Sequence, residues 1–304
     1  VGVRVVGDVE EDAVVAGANQ MDRFGLGWRP QLAVGILANL HRIDVVEVIA
    51  DDYFHASRNE RRALQTLASQ IAVTLHGVTL GLASTVPCDA RRLDRMARLV
   101  ETVEPLFWSE HLAFVRGGGI EIGHLAAPPR TSATIDGALR NLKLAREIVG
   151  IAPQVENVAT LIDPPGSESD ELSWVKEIVT NSNGGLLLDL HNLLANALNF
   201  NFDPFEFIAR LPSGAIGSVH LAGGKWIGNR TERRLLDDHR HDVLLIVYKL
   251  LEELGACITH PLTVVLERDG DFPSIECLLD QVDHARQALA RGRAKRAHVR
   301  EEAA

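Results

Sequence analysis

GLLLDLHN (185–192) is an unbroken apolar run that closes on Asp189, His191 and Asn192. A segment with no polar face fits a strand of a parallel sheet covered by helices on both sides. Its polar end is where such a sheet gathers chemistry. Moving outward, AIGSVHLAG (215–223) repeats the pattern and ends on His220, and APQVENV (152–158) ends on Glu156 and Asn157. Five further runs are RFGLG (23–27), DVVEVIA (44–50), IAVTLHG (71–77), PLFWSEHL (105–112) and PLTVVLERD (261–269). Amphipathic stretches of helical period separate them, among them RNERRALQTLASQ, DARRLDRMARLVETV, DELSWVKEIVTN and DPFEFIARL. Eight alternations of strand and helix predict an α/β chain, a (β/α)8 TIM-type barrel in a single domain. Pro30, Asp89, Ser132, Asp170, Asp203 and Pro273 stand where helices begin, since Pro and small capping side chains suit a first turn. The Gly run in VRGGGIEIGH (115–124) reads as a small hairpin after the fourth strand.

The 304 residues, 46% of them hydrophobic, match the about 250 residues typical of such a barrel with modest additions. The reading is an N-terminal extension at 1–22, the barrel at 23–290, and a charged tail at 291–304, RGRAKRAHVREEAA, expected to be solvated and frayed. The 41 acidic residues outweigh 31 Lys and Arg, for a net charge of -10, so the overall field repels nucleic acid and no nucleic-acid partner is expected. Cys88, Cys257 and Cys277 lie far apart, with no C-x-x-C spacing. That argues against a disulfide scaffold or a zinc ribbon and fits a reducing cytoplasm. Neither a membrane span nor a signal peptide is expected.

Strand ends converge on one face of a parallel barrel. Here they carry His76, Glu110 with His111, Glu156 with Asn157, Asp189 with His191 and Asn192, His220, and Glu267 with Asp269. The loop after the seventh strand adds Asp237, Asp238, His239 and His241. One histidine at a strand end is ordinarily a hydrogen-bonded structural residue. So many carboxylates in one mouth would repel each other unless cations neutralised them, so the cluster implies bound metal, and more than one ion. Imidazole with carboxylate and no thiolate suits iron, manganese or zinc. A zinc or manganese hydrolase, a sugar isomerase, an iron oxidase, and a non-catalytic protein that stores metal or binds a partner all remain open on these grounds.

The order GLGWR (25–29), VVEVIADDYF (45–54), HGVTLGL (76–82), SEHLAF (109–114), VENV (155–158), LLLDLHN (186–192), VHLAG (219–223), DDH (237–239) and LERD (266–269) resembles the multinuclear non-heme iron-dependent oxidase family, relatives of the oxidase of methanobactin biosynthesis. The resemblance implies two or three irons, mixed Fe(II) and Fe(III), with dioxygen as co-substrate. It also implies cysteine oxidation in a ribosomally made precursor peptide, and a separate partner protein that captures the leader peptide. By the same resemblance the metal ligands are His76, His111, Glu156, Asn157, Asp189, Asn192, His220, Asp237, His239 and Glu267. Glu156 or Asp189 would bridge two irons, and Asp237 and His239 would also be catalytic. A third ion, among Asn157, Asn192, Asp237 and His239, is expected to bind more weakly, because amide oxygens carry no charge.

The chain departs from that pattern twice, with His191 where many relatives carry Asn and Gly224 where they carry His. If the strand continued past Asp189, His191 would point to the same side and serve as an extra ligand; otherwise it packs at the rim. His55, Lys225, Trp226 and Arg268 are the candidate substrate contacts around the mouth, the cations suited to a peptide carboxylate and the indole to packing.

Overall fold

Strand residues such as Val46, Val48, Leu75, Leu187 and Val265 are almost wholly shielded from water, so these segments need cover on both faces, and the chain supplies it. The structure, a computed structural model, describes residues 21–117, 119–229 and 232–302. In chain order come β1 (Arg23–Gly27), α1 (Ala33–Ala38), β2 (Val45–Ile49), α2 (Arg58–Ala68), β3 (Ala72–Gly77), α3 (Ala90–Val103) and β4 (Trp108–His111). A hairpin of β5 (Phe114–Gly117) and β6 (Ile120–Ala126) precedes α4 (Ser132–Val149), β7 (Gln154–Glu156), α5 (Glu171–Ser182) and β8 (Gly185–Asp189). Then follow α6 (Leu190–Phe200), α7 (Pro204–Arg210) and β9 (Ile216–Leu221). A second hairpin, β10 (Gly224–Ile227) with β11 (Arg234–Asp237), leads to α8 (Leu245–Cys257), β12 (Thr263–Leu266) and α9 (Ile275–Glu302).

The barrel closes in the order β1-β12-β9-β8-β7-β4-β3-β2, every pairing parallel. This is the TIM-type fold expected from the sequence. Register sets the mouth: His111 lies opposite Glu156, Asp189 opposite His220, and His76 opposite Ser109. Helices cover the outside with regular apolar faces. In α3, Leu93, Met96, Leu99 and Val103 turn inward, and the Asp89 side chain accepts from Arg91 N at the helix start. Burying each such side chain stabilises the fold by roughly 1.5–3 kcal/mol. Asp170 and Asp203 cap α5 and α7 as expected. The cap of α4 is Thr131, one residue before the Ser132 of the sequence reading.

Three expectations are corrected. The strand read as GLLLDLHN stops at Asp189, and α6 starts at Leu190 with no loop between. Asp237, expected in a loop, is the last residue of β11. The segment after residue 290 continues α9 to Glu302. It packs because Gly292 lets the helix approach α8, where a Cβ would stand 2.0 Å from Glu252 O. Arg293 reinforces this by bonding Asp22 at 2.8 Å and His260 O at 2.7 Å. The rest of the expected extension, 1–20, and residues 303–304 lie outside the described residues. Among the described residues, no helix is long and apolar enough to cross a membrane, and all three cysteines are free.

Candidate metal centre

The β-strand period aims one side chain at the end of each strand into the mouth. The result is a linked chain of imidazoles and carboxylates. His76 Nε2 and His111 Nε2 face Glu156 Oε2 at 3.4 and 3.3 Å. On the far side of that carboxylate, His220 Nδ1 lies 3.3 Å from Glu156 Oε1 and 3.2 Å from Glu267 Oε2. His239 Nδ1 then faces Glu267 Oε2 at 3.1 Å and Asp269 Oδ2 at 3.3 Å. Its Nε2 lies 2.7 Å from Asp237 Oδ1 and 3.9 Å from Asp189 Oδ2. Among the described residues the donor atoms fall into three groups able to hold a metal ion: His76, His111 and Glu156; Glu156, Asp189, His220 and Glu267; and His239, Glu267 and Asp269.

Neighbouring side chains fix the rings. Ser109 Oγ meets His76 Nδ1 at 2.8 Å, and Glu47, buried at the centre of β2, faces His220 Nε2 at 2.9 Å. Arg29 reaches Glu267 at 3.3 Å and Asp269 at 2.5 Å. Glu47 and Arg29 were absent from the sequence-derived set, although a lone Glu inside VVEVI was a visible signal.

The electrostatics are those of a site held in mutual tension. Burial alone would lower the His111 pKa, but Glu156 and Glu110 outweigh it and carry the ring up to about 9. Burial would raise Glu156, yet His111, His220 and His76 bring it down to about 2. Asp189 goes the other way: burial, with Asp237 and Glu156 adding to it, pushes its carboxyl up to about 8 against the pull of His239. Even after this pairing, both oxygens of Glu156, His220 Nδ1, Asp189 Oδ2, His239 Nε2 and Asn192 Oδ1 are buried without a hydrogen-bond partner. Each such atom costs about 1–3 kcal/mol if left unmet. A cluster of them, all lone-pair donors around shared points, fits divalent cations.

The expected ligands divide. His76, His111, Glu156, Asp189, His220, His239 and Glu267 come together, with Asp237 beside His239. Asn157 instead spends its whole amide on the backbone of residue 189: Asp189 N donates to its Oδ1 at 2.9 Å, and its Nδ2 donates to Asp189 O at 3.0 Å. Asn192 donates its Nδ2 to Asn157 O at 3.0 Å and keeps Oδ1 free for a ligand. His191 lies at the start of α6, its Nε2 3.7 Å from Asp237. Glu110 accepts from His111 N and Leu80 N, which ties it to backbone.

The substrate contacts divide as well. The mouth opens into a cavity of about 730 Å³ with His76, His111 and His239 at its base and apolar walls from Phe114, Leu125, Val158 and Ile162. None of the four expected contacts lines it. His55 is exposed in the turn before α2. Lys225 pairs with Asp238 at 3.2 Å, and Trp226 carries the Arg233 guanidinium over its ring at 4.8 Å. Arg268 is buried, donating to Gly270 O and Asp271 O, so it shapes the loop after β12.

Residues 23–290 match the family described as RiPP precursor modification enzyme MbnB/TglH/ChrH. A UPF0276 protein of Streptomyces avermitilis is 35% identical over 258 residues, which cover 82% of this chain and 51% of that protein, so the chain spans about half its length. A UPF0276 protein of Bordetella bronchiseptica is 32% identical over 271 residues, 89% of this chain and 93% of the relative. Among solved structures, L-ribulose 3-epimerase aligns with a TM-score of 0.58 at 13% identity, covering 92% of this chain and 98% of that one. The 3-keto-D-glucoside 4-epimerase YcjR of E. coli aligns at 0.59 and 11%, covering 88% and 99%. At such identities the likeness shows the fold alone.

Proposed function

The chain belongs to the MbnB/TglH/ChrH family of RiPP precursor modification enzymes, and from that premise we propose that it is an iron-dependent oxidase that uses dioxygen to modify a cysteine of a ribosomally synthesised precursor peptide. The observation that carries this reading is the placement of Glu156. Its Oε2 opens onto His76 and His111, and its Oε1 onto His220, beside Glu267. A carboxylate whose two oxygens face different ligand sets is suited to bridge two cations.

His76, His111 and Glu156 would hold one iron, Glu156, Asp189, His220 and Glu267 a second, and His239 with Glu267 and Asp269, beside Asp237, a third. Such irons, as Fe(II) and Fe(III), would supply an anchoring point for the cysteine thiolate and the electrons that reduce dioxygen. The protein supplies position. Glu47 and Ser109 orient ligand rings, and outer partners of this kind are worth about 10–100-fold in metal affinity. Arg29 balances the charge of Glu267 and Asp269. The apolar walls of the cavity suit a peptide side chain. A leader-binding partner protein and a cytoplasmic setting belong to the same reading.

The test is conversion of a synthetic precursor peptide, taken from the reading frame adjacent to the gene and followed by mass. Chelated protein should be inactive, regain activity with ferrous iron in air and stay inactive with zinc. His111→Ala and Glu156→Ala should each lose iron and activity while keeping the far-UV circular dichroism of the barrel. Full conversion with zinc would replace this reading by a zinc or manganese hydrolase or isomerase.

A further inference from the structure

The chain carries a net charge of -10, yet the surface between α2 and α3 is basic. Arg61 of α2 and Arg95 and Arg98 of α3 surround a small cavity of about 50 Å³, with Tyr53, Phe54 and Leu99 in its wall. Among the described residues, none of these three guanidinium groups has an ion pair or a hydrogen bond. Elsewhere on the barrel such groups are matched: Arg42 faces three carboxylates and Arg130 pairs with Asp163. Glu60, next to Arg61 in the chain, does not neutralise the group, because its side chain turns back to accept from Ser57 N at 2.7 Å. Cations of one sign around an apolar floor focus their field and draw in a counter-charge. The planar fork of arginine matches a carboxylate in particular.

The position of this cavity gives the charge a use. The chain leaves β2 at Ile49 and enters the 3-10 turn Ala50–Tyr53 at the mouth of the barrel. Asp52 of that turn lines the large cavity over the metal centre, and the next residue, Tyr53, lines the arginine cavity. Consecutive Cα atoms stand about 3.8 Å apart, so a single turn of chain divides the two. An extended peptide with one side chain in the mouth can therefore cross the turn and lay a neighbouring segment over the arginines. In the mouth itself Arg29 is already committed to Glu267 and Asp269, whereas the three arginines beside it are uncommitted.

We propose that Arg61, Arg95 and Arg98 form a docking site for an acidic residue of the precursor peptide, in the part that stays outside the mouth while the cysteine enters it. The inference rests on the reading of the chain as a peptide-modifying enzyme. It adds a contact that fixes the register of the peptide, because an Asp or Glu held at α2 and α3 sets which cysteine reaches the metal centre across the turn.

The test is binding of the precursor peptide encoded beside the gene, carrying a neutral dye and followed by fluorescence anisotropy. The full chain is loaded with ferrous iron and kept free of dioxygen, and a second peptide has every Asp and Glu replaced by Asn and Gln. The acidic peptide should bind at least about 10-fold more tightly than its amide version. Arg95→Gln and Arg98→Gln should each weaken it about 3–5-fold, the worth of a partly exposed ion pair, and the double variant should erase the preference. Arg61→Gln, on the exposed start of α2, should act in the same direction and covers misfolding of the α3 variants. Arg91→Gln removes the same charge from α3 at an exposed position outside the cavity and should leave binding unchanged. An equal loss with Arg91→Gln would overturn the proposal, reducing the effect to the general field of the two helices. Equal binding of the two peptides, no binding of the acidic one, or tight binding that the cavity variants leave untouched would overturn it too. Binding as expected, with the peptide left unconverted after air is admitted, would overturn the oxidase reading and leave the docking site standing.

Discussion

Asp189 serves two structures with one carboxyl group. Its Oδ1 caps α6 through Asn192 N, and its Oδ2 is the unpartnered atom that faces His239. Asn caps a helix about as well as Asp, and the Asp189 carboxyl, pushed up to about 8 by burial and by Asp237 and Glu156, is largely uncharged at neutral pH in stripped protein. Asp189→Asn should therefore change the stability of stripped protein by less than about 1 kcal/mol while lowering iron affinity, read by urea unfolding and iron dialysis on the same sample. A large loss of stability without metal would show that the charge serves the fold. At this scale the strand-end ligands were legible, because each closes an apolar run. Asn157 was legible as a site residue but not in its role, since pairing of its amide to the backbone of residue 189 depends on which strands are neighbours. Glu47 and Arg29 were in view in the sequence, yet only closure of the barrel brings β1 and β2 beside β12 and β9.

The elements that the sequence concealed are the ones without a period. Helix α6 is buried from Leu190 through Ala197: its polar stripe of Asn192 and Asn196 is spent on the backbone of Asn157 and Val158 rather than on water, and its first residues, LHN, read as the end of the strand before it. The β10–β11 hairpin is short and polar, and α9 beyond residue 290 has the charge of a tail but holds on through Arg293. Arg293→Ala removes bonds to Asp22 and His260 O and should cost about 1–3 kcal/mol in urea unfolding; no change would mean that the helix end is held by packing alone. Helix α5 carries a pH signature. Glu171, in its first turn, accepts from Asn196 Nδ2 at 2.9 Å, and burial pushes its pKa up to about 7 from 4.5, against the pull of Arg130. A raised carboxyl favours the folded state below the unfolded pKa, and that advantage is lost as pH rises through the folded one. Stability should therefore fall between about pH 4.5 and 7, by on the order of 2 kcal/mol after allowance for the partial exposure of Glu171. Glu171→Gln should flatten that step, and a pH profile of unfolding that keeps it would place the titration elsewhere.

For the molecule as a whole, alternation of apolar strands with amphipathic helices made the barrel legible, and barrel geometry in turn made a single site out of residues nearly 200 positions apart, from His76 to Glu267. The identity of the metal is not written in ligand type, because iron, manganese and zinc accept the same imidazole and carboxylate donors; that is why the central claim is redox and its test must be redox. The direct measurement is dioxygen uptake by protein reconstituted anaerobically with ferrous iron, then exposed to air-saturated buffer with the precursor peptide, and with the same peptide carrying Cys→Ser. The account predicts sustained uptake that requires both the iron and the cysteine and matches the peptide converted, whereas peptide conversion without dioxygen uptake, or equal uptake with the Cys→Ser peptide, would contradict it.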